Sequence, residues 1–192
     1  MPYRHLLFSK DNYYHLYNRG SRKEPIFTEK ANYQYVLLLI SFYCEKLSLT
    51  VIAYCLMPNH HHLLVRQEGE GAAGLLVQRV FNRYSKAYNL RYHQSGTLFE
   101  GRYKAIHIDK TNYLTQLSLY IHANPVKAGL VRNPGDWEFS NYLEWLGKRL
   151  NGLFDKQFID EFFPDGFYAE VMREYIKSDM RNPKGLEKYM LG

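Results

Sequence analysis

Residues 49–67 read LTVIAYCLMPNHHHLLVRQ, two apolar runs separated by a single Pro-Asn pair. Nine residues rich in β-branched and aromatic side chains predict a buried strand. Pro58 and Asn59 carry the turn signal that lets the second run return antiparallel to the first. Any fold for this chain must therefore hold a central ribbon whose second strand begins with three histidines.

The flanking segments say what surrounds the ribbon. Residues 12–20, NYYHLYNRG, have aromatic strand character and stop at a glycine. Residues 28–47 predict a helix with Thr28 as its N-cap and Val36, Leu39, Tyr43 and Leu47 recurring at helical spacing. After the glycine-rich EGEGAAG, a second helix is expected from about residue 75 to 92. Its core face is Leu76, Val80, Tyr84 and Ala87, while Arg79, Arg83 and Lys86 share another side. TLFEGRYKAIHI predicts a further strand, and TNYLTQLSLYIHA a third helix ending near residues 124–125, because Pro125 disfavours helix before it. The order β-α-β-β-α-β with a helix added is that of an α+β, ferredoxin-like (RRM-like) fold: an antiparallel sheet with helices on one face and the other face free for a ligand. Beyond it, KQFIDEFF and YAEVMREYIK predict two short helices. Residues 1–148 are expected to form the main domain and 149–192 a helical C-terminal extension packed on it.

Composition narrows the partners. A net charge of +6 and a pI near 9.1 suit a polyanion such as nucleic acid, and eighteen tyrosines offer surfaces for base stacking. Cys44 and Cys55 show no CxxC spacing, no apolar signal core opens the chain, and YVLLLISFYC is too short to span a bilayer. The expectation is a cytoplasmic protein with reduced thiols, associated with the nucleoid when bound to DNA.

Alternation along a strand places His60 and His62 on one face and His61 on the other. Two imidazoles about 7 Å apart at i and i+2 can ligate one divalent ion, but the pair needs a third donor. His61 is expected to pack against a helix. The third helix supplies further candidates: Tyr120 and Asn124 are four apart and share a face, with Asn124 expected at the helix end, free of the backbone ladder. A tyrosine attacks slowly unless its electrophile is polarised. A divalent ion on His60, His62 and Asn124 would polarise a phosphodiester and orient its leaving oxygen. Tyr113, two helical turns earlier, is a rival to Tyr120, and an ordinary packing role for either tyrosine stays open.

Together, MPNHHHLLV, SGTLFEGRYKAI and LYIHANPVKAGLV resemble the motifs of the HUH single-tyrosine, single-strand DNA transposases, and the later two resemble their REP-associated branch. The resemblance runs from about Tyr14 to Tyr142. It implies a transposase and endonuclease that cuts and rejoins single-stranded DNA near palindromic hairpins through a 5′-phosphotyrosine. By position, His60, His62 and Asn124 would hold Mg2+ or Mn2+ and Tyr120 would be the nucleophile. His61 departs from the family's apolar middle residue. Hairpin recognition makes Arg79, Arg83, Lys86, Arg102 and Lys104 candidate DNA contacts. The resemblance leaves open a monomer or a homodimer. Two other readings stand beside it: a non-catalytic hairpin DNA- or RNA-binding protein, and a metal-dependent hydrolase acting through water.

Overall fold

A computed structural model of the chain describes residues 6–70, 73–109, 111–150, 156–163 and 167–178. The central ribbon forms as its residues dictate. Strands β2 (Leu49–Met57) and β3 (His60–Gln67) pair antiparallel across the Pro58-Asn59 turn. Strand β1 (Tyr13–Arg19) pairs with the other edge of β3, and β4 (Lys104–Ile108) with β1, both antiparallel, in the order β2-β3-β1-β4. Helices α1 (Lys30–Leu47) and α2 (Gly74–Arg91) cover one face. This is the ferredoxin-like arrangement expected.

The second face is not free. Helix α3 (Thr111–Lys127) lies on it, burying Leu114, Leu117 and Ile121 against Ala53, Cys55, Met57 and Leu64 of the sheet. Helices α4 (Tyr142–Trp145), α5 (Lys156–Phe162) and α6 (Tyr168–Lys177) add Trp145, Phe158, Tyr168 and Met172 to the same core. An apolar stripe on α3 leaves that helix no solvated resting place, so it closes the sheet into three layers. Residues 149–192 are described only over 149–150, 156–163 and 167–178. No described helix is long and apolar enough to cross a membrane.

Three local expectations are corrected. The N-cap of α1 is Glu29, not Thr28: Glu29 and Asn32 form a capping box, and the Thr28 hydroxyl donates to Asn32 Oδ1 at 3.0 Å instead. The fourth strand is Lys104–Ile108 alone, because residues 99–101 are tied to the end of β1. There Glu100 N donates to Arg19 O at 3.0 Å and Asn18 Nδ2 to Gly101 O at 3.0 Å. Helix α3 runs through Pro125 and stops at Lys127. Leu130 N donates to Pro125 O and Gly129 N to Val126 O, both at 2.9 Å, with Gly129 at φ 68. This Schellman closure, which glycine tolerates because it has no Cβ, ends the helix; the proline only removes one amide from it.

The free edge of β2 is also occupied. A register shift between Val51 and Ala53 leaves Ile52 as an extra residue, and its carbonyl accepts from Asn141 Nδ2 and Trp145 Nε1, each at 2.9 Å. Leu56 N donates to Phe139 O at 2.9 Å. Buried Glu144 then holds Arg149 bidentately, at 2.8 and 2.7 Å, while Arg149 Nη1 donates to Glu138 O at 2.9 Å and Nη2 to Ser140 O. Arg149→Met removes both guanidinium hydrogen bonds of the buried Glu144 carboxylate and those to two carbonyls, and should cost about 3 kcal/mol in chemical denaturation. A loss within about 0.5 kcal/mol, the range of an ordinary surface change, would mean that water replaces the guanidinium.

Candidate active site at the start of strand β3

Register fixes what meets the histidines. Across β3, His62 stands opposite Tyr17 on one side and Cys55 on the other, and His60 opposite Arg19 and Met57. The rings of His60 and His62 are 5.1 Å apart, edge to face, on the side covered by α3. His61 points the other way and stacks on Phe81 of α2, with centroids 3.8 Å apart and planes 13° from parallel. It packs against a helix as expected, and both of its ring nitrogens are buried without a hydrogen-bond partner.

Each of the paired histidines has a partner for Nδ1. His60 Nδ1 lies 2.7 Å from Asn59 Oδ1, and Asn59 Nδ2 is itself committed to Lys23 O at 3.0 Å. Asn59 Oδ1 is therefore the acceptor for a proton on His60 Nδ1, the tautomer that leaves a lone pair on Nε2. His62 Nδ1 lies 3.0 Å from Nε2 of His15, a fully buried β1 residue, and His62 Nε2 is buried without a partner. Burial pushes His60 down to about 4, with the Asn124 amide opposing and Arg19 adding to the shift. Burial pushes His62 well below the usual histidine range and His15 to about 3. All three imidazoles are neutral at pH 7, the state a metal requires.

Helix α3 brings the remaining candidates to this spot. The Tyr120 ring stands edge-on to His62 at 5.4 Å, and Asn124 lies in hydrogen-bonding reach of His60. Asn124 is inside the helix, not free of its ladder: Nδ2 donates to Tyr120 O at 2.8 Å, which aims Oδ1 away from its own helix backbone. Lys127 Nζ sits 5.6 Å from the Tyr120 ring centre, and Tyr175 of α6 is close enough to Tyr120 to feel its charge. Tyr113 lies among the partly buried side chains of the same core. No three His, Cys, Asp or Glu side chains cluster for a metal among the described residues. His15 and Lys127 escaped the sequence reading. Lys127 was visible as two turns past Tyr120, whereas His15 needs the strand register.

The five basic candidates do not form one patch. Lys104 is exposed over the Tyr17 ring at 5.8 Å, beside His62. Lys86 and Arg102 are exposed on the opposite face of the sheet, lining a groove between α2 and residues 96–103 with Gln78, Asn82 and Phe99. Arg83 hydrogen-bonds Tyr35 and Tyr43 of α1, and Arg79 is exposed on α2.

Two histidines, a tyrosine and a carboxamide thus converge at the start of one strand of a ferredoxin-like sheet. The chain belongs to the IS200-like transposase family, whose model matches residues 8–124, more than half of the sequence. Its fold is similar to that of the REP-associated tyrosine transposase solved bound to a REP hairpin: 19% identity, TM-score 0.65, covering 81% of this chain and 89% of that one. A putative transposase from Deinococcus radiodurans R1 is 15% identical with TM-score 0.43, covering 63% of this chain and 95% of that one. No curated protein matches the sequence.

Two expectations follow for stability. His61→Leu removes two unpartnered buried nitrogens at similar volume and should raise stability by about 1 kcal/mol, read as a higher unfolding midpoint. A fall of that size would mean that the Phe81 stack outweighs the orphaned nitrogens. Folded His15, His60, His61, His62 and His122 all resist protonation, His122 down to about 4. The unfolded chain therefore binds more protons once the pH falls below about 6.5, and folding stability present above that value is lost toward pH 4. Each histidine contributes a slope of about 1.4 kcal/mol per pH unit at most. The midpoint of thermal unfolding, followed from pH 7.5 to 4.5, should fall steeply; a flat profile to pH 5 would show the rings to be solvated.

Proposed function

We propose that this chain is a divalent-metal-dependent transposase that cuts and rejoins single-stranded DNA beside hairpins, with Tyr120 forming a 5′-phosphotyrosine. The observation carrying this reading is the buried, unpartnered Nε2 of His62, beside His60, Asn124 and the Tyr120 ring. An imidazole nitrogen buried with nothing to bond is costly unless a ligand completes it. The donor set fits: His60 Nε2, His62 Nε2 and Asn124 Oδ1 are neutral donors for Mg2+ or Mn2+, with water or phosphate oxygens filling the remaining positions.

A divalent ion held there would polarise the scissile phosphodiester and stabilise the departing oxygen. Tyr120 Oη attacks phosphorus: its new P–O bond forms as the P–O3′ bond breaks, the phenol proton passes through solvent to the departing 3′-oxygen, and the freed strand leaves with a 3′-hydroxyl. Lys127 adds a cation beside the Tyr120 ring. Because the phosphoester is conserved on Tyr120, a 3′-hydroxyl can later reverse the step without a nucleotide cofactor. Lys104, exposed on the site's own face, would hold backbone phosphate there, and Lys86 and Arg102 would do so on the α2 face.

The test is incubation with hairpin oligonucleotides, bearing single-stranded tails, drawn from palindromes flanking the coding sequence. Mg2+ or Mn2+ is supplied and products are resolved on a denaturing gel. A covalent protein–DNA adduct should form, vanish in Tyr120→Phe, persist in Tyr113→Phe and fall at least about 100-fold in His60→Ala or His62→Ala. Cleavage without an adduct would instead assign hydrolysis by water, and binding without cleavage a hairpin-binding protein. Solution mass with and without the hairpin separates a monomer from a homodimer.

A further inference from the structure

We propose that His15 is a positioning residue for the metal centre: its Nε2 accepts the Nδ1–H of His62 and so holds His62 with its Nε2 lone pair turned to the ion. The inference rests on the metal site proposed above and assigns a role to a residue outside the three family-like motifs.

The two ligand histidines are built alike. His60 has its Nδ1–H fixed by an acceptor that cannot donate, because the amide nitrogen of Asn59 is committed elsewhere. For His62 to offer Nε2 in the same way, its proton must also sit on Nδ1, and the acceptor there is His15 at 3.0 Å. The placement follows from register: His15 is opposite Leu64, so it lies diagonally across from His62 on the same face of the β1–β3 pair. Its ring stacks on Tyr17, with centroids 4.6 Å apart and planes 24° from parallel, and lies nearly coplanar with His62, with centroids 5.2 Å apart and planes 18° from parallel, as an in-plane hydrogen bond requires.

The bond has two possible directions. If His62 donates, His15 carries its own proton on Nδ1, which is buried without a partner. If His15 donates, His62 carries its proton on Nε2, which is equally buried and unpartnered. Each direction strands one N–H, so the pair alone selects neither. Ligation at His62 Nε2 breaks the tie, because a protonated Nε2 has no lone pair to give. His15 is thus the acceptor that makes the ligating tautomer available to His62, both rings being buried from water.

The test uses the full chain without DNA. Mn2+ binding is followed by the loss of the free-ion electron paramagnetic resonance signal. The wild type should bind, and His60→Ala or His62→Ala should not. His15→Phe keeps a flat ring over Tyr17 and removes the acceptor, and should weaken Mn2+ binding about 10- to 100-fold. His15→Gln restores an acceptor oxygen and should recover part of that loss. Equal weakening in the two variants, or none in His15→Phe, overturns the role. Should the phenylalanine variant fail to fold, long-range 1H–15N correlation of wild-type histidines with Mg2+ decides, since His62 protonated on Nε2 overturns it too. A wild type that binds no Mn2+ removes the metal centre itself, and the role with it.

Discussion

Everything at the site depends on the pairing register of β1 with β3. Side chains alternate along a strand, so a slip of one residue would send His61 toward α3 and bury His60 and His62 against α2. Both strands are interior, with β2 and β4 outside them, and the pairing runs unbroken from Tyr13–Arg66 to Arg19–His60. The one irregularity lies in β2, at the edge. There the extra Ile52 shifts the register without disturbing the alternation of β3, and its carbonyl anchors Asn141 and Trp145. A bulge placed in β3 would have reassigned the histidines.

Helix α3 completes what the register begins. Tyr120 and Asn124 share a face one turn apart, and the Asn124 side chain is braced on the Tyr120 carbonyl. Two residues past Tyr120, His122 points about 200° round the helix. It is held at 2.8 Å from Asn141 Oδ1 and 2.6 Å from the Tyr168 hydroxyl. Since Asn141 Oδ1 accepts from Tyr54 N and its Nδ2 donates to Ile52 O, α3 is fastened to the edge of β2 through the same asparagine. The side of α3 that carries Tyr120 and Asn124 therefore has its distance from β3 set by groups on the other side of the helix.

The parts legible in sequence were those carried by local period. Alternation separated His61 from its neighbours, helical spacing joined Tyr120 to Asn124, and the apolar runs gave the β-α-β-β-α-β order. What stayed hidden depended on partners distant in sequence. Thr28 looks like a cap until Asn32 takes its hydroxyl and Glu29 assumes the position. Pro125 looks like a helix stop, but the stop is written three to five residues later in the hydrogen bonds around Gly129. Residues 97–103 have strand-like composition, yet their neighbour is the end of β1, which bends them across it. The second sheet face looked open because nothing in a strand's alternation says which helix will cover it. His15 is the same kind of omission: its place beside His62 exists only once β1 and β3 are paired.

The burial of the histidines makes two properties inseparable. Desolvation penalises the imidazolium, which leaves His60 and His62 neutral at pH 7 with lone pairs available for coordination. The same penalty means that the folded chain refuses protons the unfolded chain accepts, so acid acts on the fold through the residues that equip the site. His61 shows the cost without that benefit. It is as buried as His62, its nitrogens bond to nothing, and the return is packing, a stack on Phe81 and an edge contact with Phe99. An apolar side chain could supply that packing, whereas none could replace the nitrogen of His60 or His62. Of three consecutive histidines, then, two are the ligands of the proposed site and the middle one is only tolerated by the core.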